Sequence, residues 1–139
     1  MKFNDLKKRT KQFALDILNL TDSIPYGRKA DAICKQLIRS ATSVGANYRA
    51  ACRARSKADF ISKITIVEEE SDESQYWLEL LVESAIVAQD KVYRMLNEAD
   101  ELTAIFTDSG KTAKFTGDIK VAYSPKSTIR IPKSREFFK

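Results

Sequence analysis

Apolar positions recur in steps of three and four along most of the chain, the spacing that keeps side chains on one face of an α-helix. Leu6, Thr10, Phe13, Ile17 and Leu20 form the first stripe, widened by Ala14 and Leu18. They predict a helix from Asp5 to Leu20 with Asn4 as its N-cap. Ala30, Cys34, Leu37, Ala41, Val44, Tyr48 and Ala51 predict a second helix from Arg28 to Cys52. Phe60, Ile64, Val67, Ser71, Ser74, Leu78, Leu81 and Ala85 predict a third from Lys57 to Ser84. Val92, Met95, Ala99, Leu102 and Phe106 predict a fourth from Gln89 to Lys114. Four such stripes joined by short connections imply an all-α, antiparallel up-down-up-down four-helix bundle.

The connections carry their own signals. Thr21 to Gly27 reads as a loop punctuated by Pro25 and Gly27. Ser56-Lys57-Ala58-Asp59 has the Ser-x-x-acid form of a capping box. Gly45 lies inside the second helix, where glycine costs about 1 kcal/mol relative to alanine. Close approach of another helix and a mild kink are both compatible with it. The helical period stops at Phe115. Beyond it come Gly117, Pro125, Pro132 and β-branched residues such as Val121 and Ile129. The expected division is a bundle over 1–115 and an irregular basic C-terminal extension over 116–139.

Charge adds a second layer. From Arg28 to Lys57 the net charge is +7, and from Asp59 to Glu83 it is −7. Opposite charge on adjacent helices favours their pairing over like-with-like alternatives. A turn centred near Ser56 makes residues whose numbers sum to about 110–113 face each other. Arg39 then faces Glu73 or Asp72, and Ser43 faces Glu70 or Val67. Arg39, Ser43, Asn47, Glu70 and Glu73 are expected to form a partly buried polar seam, with Ser43 and Asn47 hydrogen-bonding between helices. Lys29, Lys35 and Glu79 read as solvated.

At this point the order of residues resembles a known family. Arg39-Ser40-Ala41-Thr42-Ser43…Asn47, Asp59-Phe60-Ile61-Ser62-Lys63 and Glu70…Glu73…Tyr76-Trp77-Leu78-Glu79-Leu80-Leu81 are similar to the bacterial four-helix-bundle proteins encoded in intervening sequences of 23S ribosomal RNA genes. Those proteins, S23 ribosomal protein-like, are related to accessory proteins of diversity-generating retroelements. The resemblance spans Phe3 to Lys114 and is strongest from Arg39 to Leu81. It implies a bundle, a homopentamer and association with RNA or a ribonucleoprotein. Two departures stand out. Arg49, Ala50 and Ala51 occupy positions where the family often has an acidic residue and a glycine, and the glycine often found in the turn near Ala85 is missing.

The chain contains no histidine, so nucleophile–histidine pairs and Glu-x-x-His di-iron ligation cannot be built. Two cysteines without histidine make no structural zinc site, and no Gly-rich phosphate loop is present. The acidic run Glu68-Glu69-Glu70…Asp72-Glu73 points in several directions around a helix rather than converging. No catalytic residue, metal or cofactor is expected. Cys34 and Cys52 fall on one helix, about 27 Å apart at 1.5 Å per residue, beyond disulfide reach. Free thiols suit a reducing compartment. No apolar run approaches the ~20 residues of a membrane span, and Met1 to Asp5 lacks the apolar core of a signal peptide. A cytoplasmic location with no membrane partner is the expectation.

The remaining candidates are surfaces. Residues 111–139 carry a net +6, which exceeds the +5 of the whole chain. A basic arm beside a near-neutral body is a footprint of nucleic-acid binding, and ordinary solubilising tails share it. Lys126, Arg130, Lys133 and Arg135 in the tail, with Arg49, Arg53, Arg55 and Lys57 at one bundle end, are the candidate nucleic-acid contacts. Tyr76, Trp77 and Leu80 lie off the main stripe and form the candidate oligomer interface, although Trp77 capping the monomer core fits the same pattern. The reading is a non-enzymatic oligomeric protein associated with RNA or a ribonucleoprotein. The alternative is a protein-binding scaffold or accessory subunit, for example of a reverse transcriptase.

Overall fold

The computed structural model describes residues 3–116; the basic extension from 117 onward lies outside the described residues. Four helices follow in order: α1 (Phe3–Asp22), α2 (Arg28–Cys52), α3 (Lys57–Glu83) and α4 (Gln89–Thr116). These match the periodic stripes to within two residues at each end. α1 starts at Phe3, so Asn4 lies inside its first turn rather than at the N-cap.

Cross-helix bonds fix the antiparallel order. Lys29 Nζ donates to Ser84 O at 3.4 Å, and the Ser40 and Ser74 hydroxyls lie 3.0 Å apart. Those α2–α3 pairs sum to about 113, as a hairpin turning near Ser56 requires. Lys57 Nζ reaches Lys114 O at 3.3 Å, and Thr107 Oγ1 donates to Glu68 Oε2 at 2.7 Å. These two bonds run α3 against α4. Arg9 grips Glu98 on α4 with two bonds of 2.7 Å, and Arg94 reaches back to Asp16 at 3.1 Å. α2 packs most extensively on α3 and α3 on α4, while α1–α4 is the thinnest of the four neighbouring pairs.

The stripes are the core. Phe13, Ile17, Leu37, Val44, Tyr48, Phe60, Ile64, Leu78 and Phe106 are all buried. Thr10, Ser71 and Ser74 join them despite their hydroxyls, because each donates to the carbonyl one turn back: Leu6, Val67 and Glu70 respectively, all at 2.8 Å. Leu18 departs from the expectation. It is exposed, since α1 has a partner on one flank and only a thin contact with α4 on the other.

Gly45 serves close approach. A Cβ there would stand 3.3 Å from Thr10 Oγ1 and 3.6 Å from the Thr10 carbonyl carbon, so α1 nearly touches the α2 backbone. Ser56 caps α3 by accepting from the Asp59 N–H at 3.0 Å. The return arm of the box differs from its usual form: Asp59 Oδ2 accepts from the Arg55 N–H at 3.3 Å rather than from Ser56.

α3 ends in a Schellman motif. Ile86 N–H donates to Leu81 O at 3.0 Å and Ala85 N–H to Val82 O at 2.9 Å. Ala85 sits at φ 63°, the left-handed position that glycine fills at least cost. This is the turn where the sequence lacks the family's glycine. Ala85→Gly is therefore expected to stabilise the protein by about 0.5–1 kcal/mol, relief of strain exceeding glycine's extra unfolded-state entropy. Urea unfolding checks it: the midpoint should rise at unchanged slope.

Candidate nucleic-acid interface

The antiparallel order gathers the end of α2, the start of α3 and the end of α4 at one pole of the bundle. Arg49 is exposed on the last turns of α2. Arg53 is the C-cap residue, its N–H shared between Ala50 O and Ala51 O. Arg55 stands in the connection and Lys57 opens α3; all four side chains are exposed. None of the four side chains forms an ion pair among the described residues, although the Arg55 backbone N–H donates to Asp59 Oδ2. Lys126, Arg130, Lys133 and Arg135 lie outside the described residues.

Three cations were missed by reading one helix at a time. The first half of α1 runs beside the second half of α2, so Lys7, Lys8 and Lys11 share a groove with Arg49. The signal was available: antiparallel order with Thr10 opposite Gly45 brings these residues together.

In the seam Arg39 does reach Glu73, one of its two expected partners, while the other contacts differ from expectation. Arg39 Nη1 donates to Glu70 Oε2 at 3.0 Å, Nη2 donates to Glu73 Oε2, and Nε donates to Gln36 Oε1 at 3.0 Å. Asp72 is not its partner. The Arg39 side chain is 50% exposed, so the pair belongs among surface ion pairs, which contribute up to about 1 kcal/mol, rather than among buried ones. Asn47 Nδ2 donates to Ser43 O at 3.0 Å and Ser43 Oγ at 2.7 Å. Both bonds stay within α2. The buried polar contact that does cross between α2 and α3 is Ser40–Ser74, with both residues fully buried.

Trp77 is half-buried against the core, and its Nε1–H donates to Glu73 Oε2 at 2.9 Å. The Tyr76 ring meets it edge-on at 4.9 Å, yet Tyr76 is 52% exposed and lines a groove between α3 and α4 with Asp72, Glu79 and Asp100. Leu80 is half-buried. The Glu79 carboxyl is held above its usual range by burial, then by repulsion from Glu83 and Asp72, while Gln75 opposes the rise. This face is acidic where the α1–α2 face is basic.

Cys34 and Cys52 are free, and burial pushes both thiols up. Lys7 and a Tyr48 hydrogen bond pull Cys52 partly back. No helix among the described residues is long and apolar enough to cross a membrane.

The family model for 23S rRNA-intervening sequence proteins matches residues 2–108, which takes in α1 to α3 and most of α4. This chain belongs to that family. Among solved structures, a protein with unknown function from the S23 ribosomal protein family of Bacteroides thetaiotaomicron is 36% identical, with a TM-score of 0.71. The match covers 76% of this chain and 98% of that one. No protein of curated function matches. Arg49, Arg53, Arg55 and Lys57 lie inside the matched span. The tail cations lie beyond it.

Proposed function

We propose that this protein is a non-enzymatic RNA- or ribonucleoprotein-associated module that acts in the cytoplasm as a closed homo-oligomer, the pentamer being the assembly that the resemblance implies. The observation that carries the reading is the pole where Arg49, Arg53, Arg55 and Lys57 stand exposed, their side chains in no ion pair among the described residues. A surface of that kind attracts phosphates without reading bases. In a closed ring it would repeat, and linked weak contacts gain through effective concentration. Exposed Leu15, Leu18, Tyr76 and Tyr93 supply apolar surface for assembly. The absence of histidine and the raised thiols support a binding role rather than catalysis.

A scaffold for a protein partner, such as a reverse transcriptase, is the second reading; the Tyr76 edge beside Trp77 favours it. Salt titration separates the two. With four single-strand phosphate contacts per protomer, affinity for RNA should fall about 50-fold between ~50 and ~200 mM salt. Full-length protein that ignores RNA at the lower salt ends the RNA reading. Capture of a polymerase that survives nuclease treatment would then favour the scaffold.

A further inference from the structure

We propose that the groove between α1 and α2 is a track for the sugar-phosphate backbone of single-stranded RNA. It rests on the RNA reading above and extends it to residues of α1. The groove has a volume of about 460 Å³, and its four charged lining residues are Lys7, Lys8, Lys11 and Arg49. No acidic residue lines it.

The distribution of carboxylates argues against an ordinary solvated face. Arg9, on the same helix, is held by Glu98 and Glu101 at 2.7 and 3.0 Å. Lys7, Lys8, Lys11 and Arg49 have no such partner among the described residues. So Arg9, which faces α4, is neutralised, Lys8 borders both grooves, and Lys7, Lys11 and Arg49 on the α2 side are left to repel one another. A polyanion lying between them relieves that repulsion and releases counterions.

The shape selects the form of the polyanion. Lys7 and Lys11 are one turn apart, about 6 Å along the axis. Arg49 stands across the groove, and Arg53 continues the line one turn further, toward Arg55 and Lys57 at the pole. Ala14, Gly45 and Ala46 contribute the floor. They leave the backbone of a strand room to settle and offer no aromatic ring for stacking, so bases would face outward. A space of about 460 Å³ takes the sugar-phosphate of one or two nucleotides of a single strand, with the rest of the strand running on toward the pole. A duplex could touch only the rim.

The test uses the full-length protein and a labelled RNA, presented single-stranded and as a duplex of the same sequence. K7Q/K8Q/K11Q should weaken single-strand binding and flatten the slope of log K against log[salt] by about 2, roughly 0.7 for each phosphate no longer neutralised. The duplex should lose less. K29Q/K35Q/K91Q removes the same charge elsewhere and should leave the slope near that of the natural protein. Ala46→Glu, which sets a carboxylate on the exposed floor, should weaken binding independently, with circular dichroism confirming the fold in each variant. Three results overturn the proposal: an unchanged slope in the groove variant, equal losses for strand and duplex, or displacement of the RNA by polyglutamate at matched charge. If the natural protein binds no RNA at low salt, the broader reading fails first. Binding lost on changing Arg53, Arg55 and Lys57 but not the groove keeps that reading and removes this one.

Discussion

Phe106→Ala should lower the stability of the bundle by about 3–5 kcal/mol, the range for emptying a fully buried aromatic site. Phe106 lies on α4 with no exposed surface, its ring centroid 5.3 Å from that of Tyr48 on α2 at an interplanar angle of 44°. α2 and α4 are diagonal members of the bundle, so this pair spans its interior rather than joining neighbours. Truncation removes the transfer free energy of the ring and leaves a cavity that four anchored helices cannot close. It also removes an aromatic pair worth about 0.5–1.5 kcal/mol. Against a total of about 5–15 kcal/mol, that is a large fraction. Equilibrium urea unfolding measures it, and Phe106→Leu, which retains much of the volume, should recover most of the loss. A loss under ~1 kcal/mol for the alanine variant would mean that the site is not packed, and the diagonal contact would have to be abandoned.

What was legible in the sequence was whatever depends on spacing alone. Ser71 and Ser74 could be placed in the core from their positions between Val67 and Leu78, because a serine that bonds back to its own helix is buried at little cost. Leu96, Ile105 and Ala113 were not in the α4 stripe, yet all three are buried. A helix packed along more than one side buries more than a single narrow row. The charge seam shows the other limit. Facing register gave Arg39 its Glu73 partner, but register says nothing of depth, and Arg39 lies at the outer edge of the α2–α3 contact. Asn47 could satisfy its amide one turn back on Ser43, which spacing along one helix cannot distinguish from a partner opposite. The groove lysines needed the topology before they could be seen as one surface. Ala85 is a different case: a missing glycine marked the turn, and only the backbone shows that alanine holds the left-handed position there.

Gly45→Val should cost about 1–3 kcal/mol and act first on α1. Two effects oppose each other. Valine is a better helix former than glycine by a few tenths of a kcal/mol. Against this, its Cβ would lie 3.3 Å from Thr10 Oγ1, with the α1 backbone at 3.6 Å, and its methyl groups would extend further. Thr10 cannot step aside easily, being fully buried with its hydroxyl bonded to Leu6 O at 2.8 Å. Overpacking of this kind costs about 1–3 kcal/mol and outweighs the propensity gain. For Gly45→Ala, the gain of about 1 kcal/mol nearly offsets a single tight contact, so that variant should stay close to the natural protein. The strain should express itself where the bundle holds least. α1 has little contact with α4 beyond the Arg9 and Arg94 ion pairs. Native-state hydrogen exchange of the valine variant should therefore show protection falling along α1 while α2, α3 and α4 retain theirs. Because the floor of the basic groove is the same surface, its affinity for single-stranded RNA should fall in parallel. Unchanged protection along α1 would show that the helices do not close at Gly45, and the groove would lose the floor on which its proposed ligand rests.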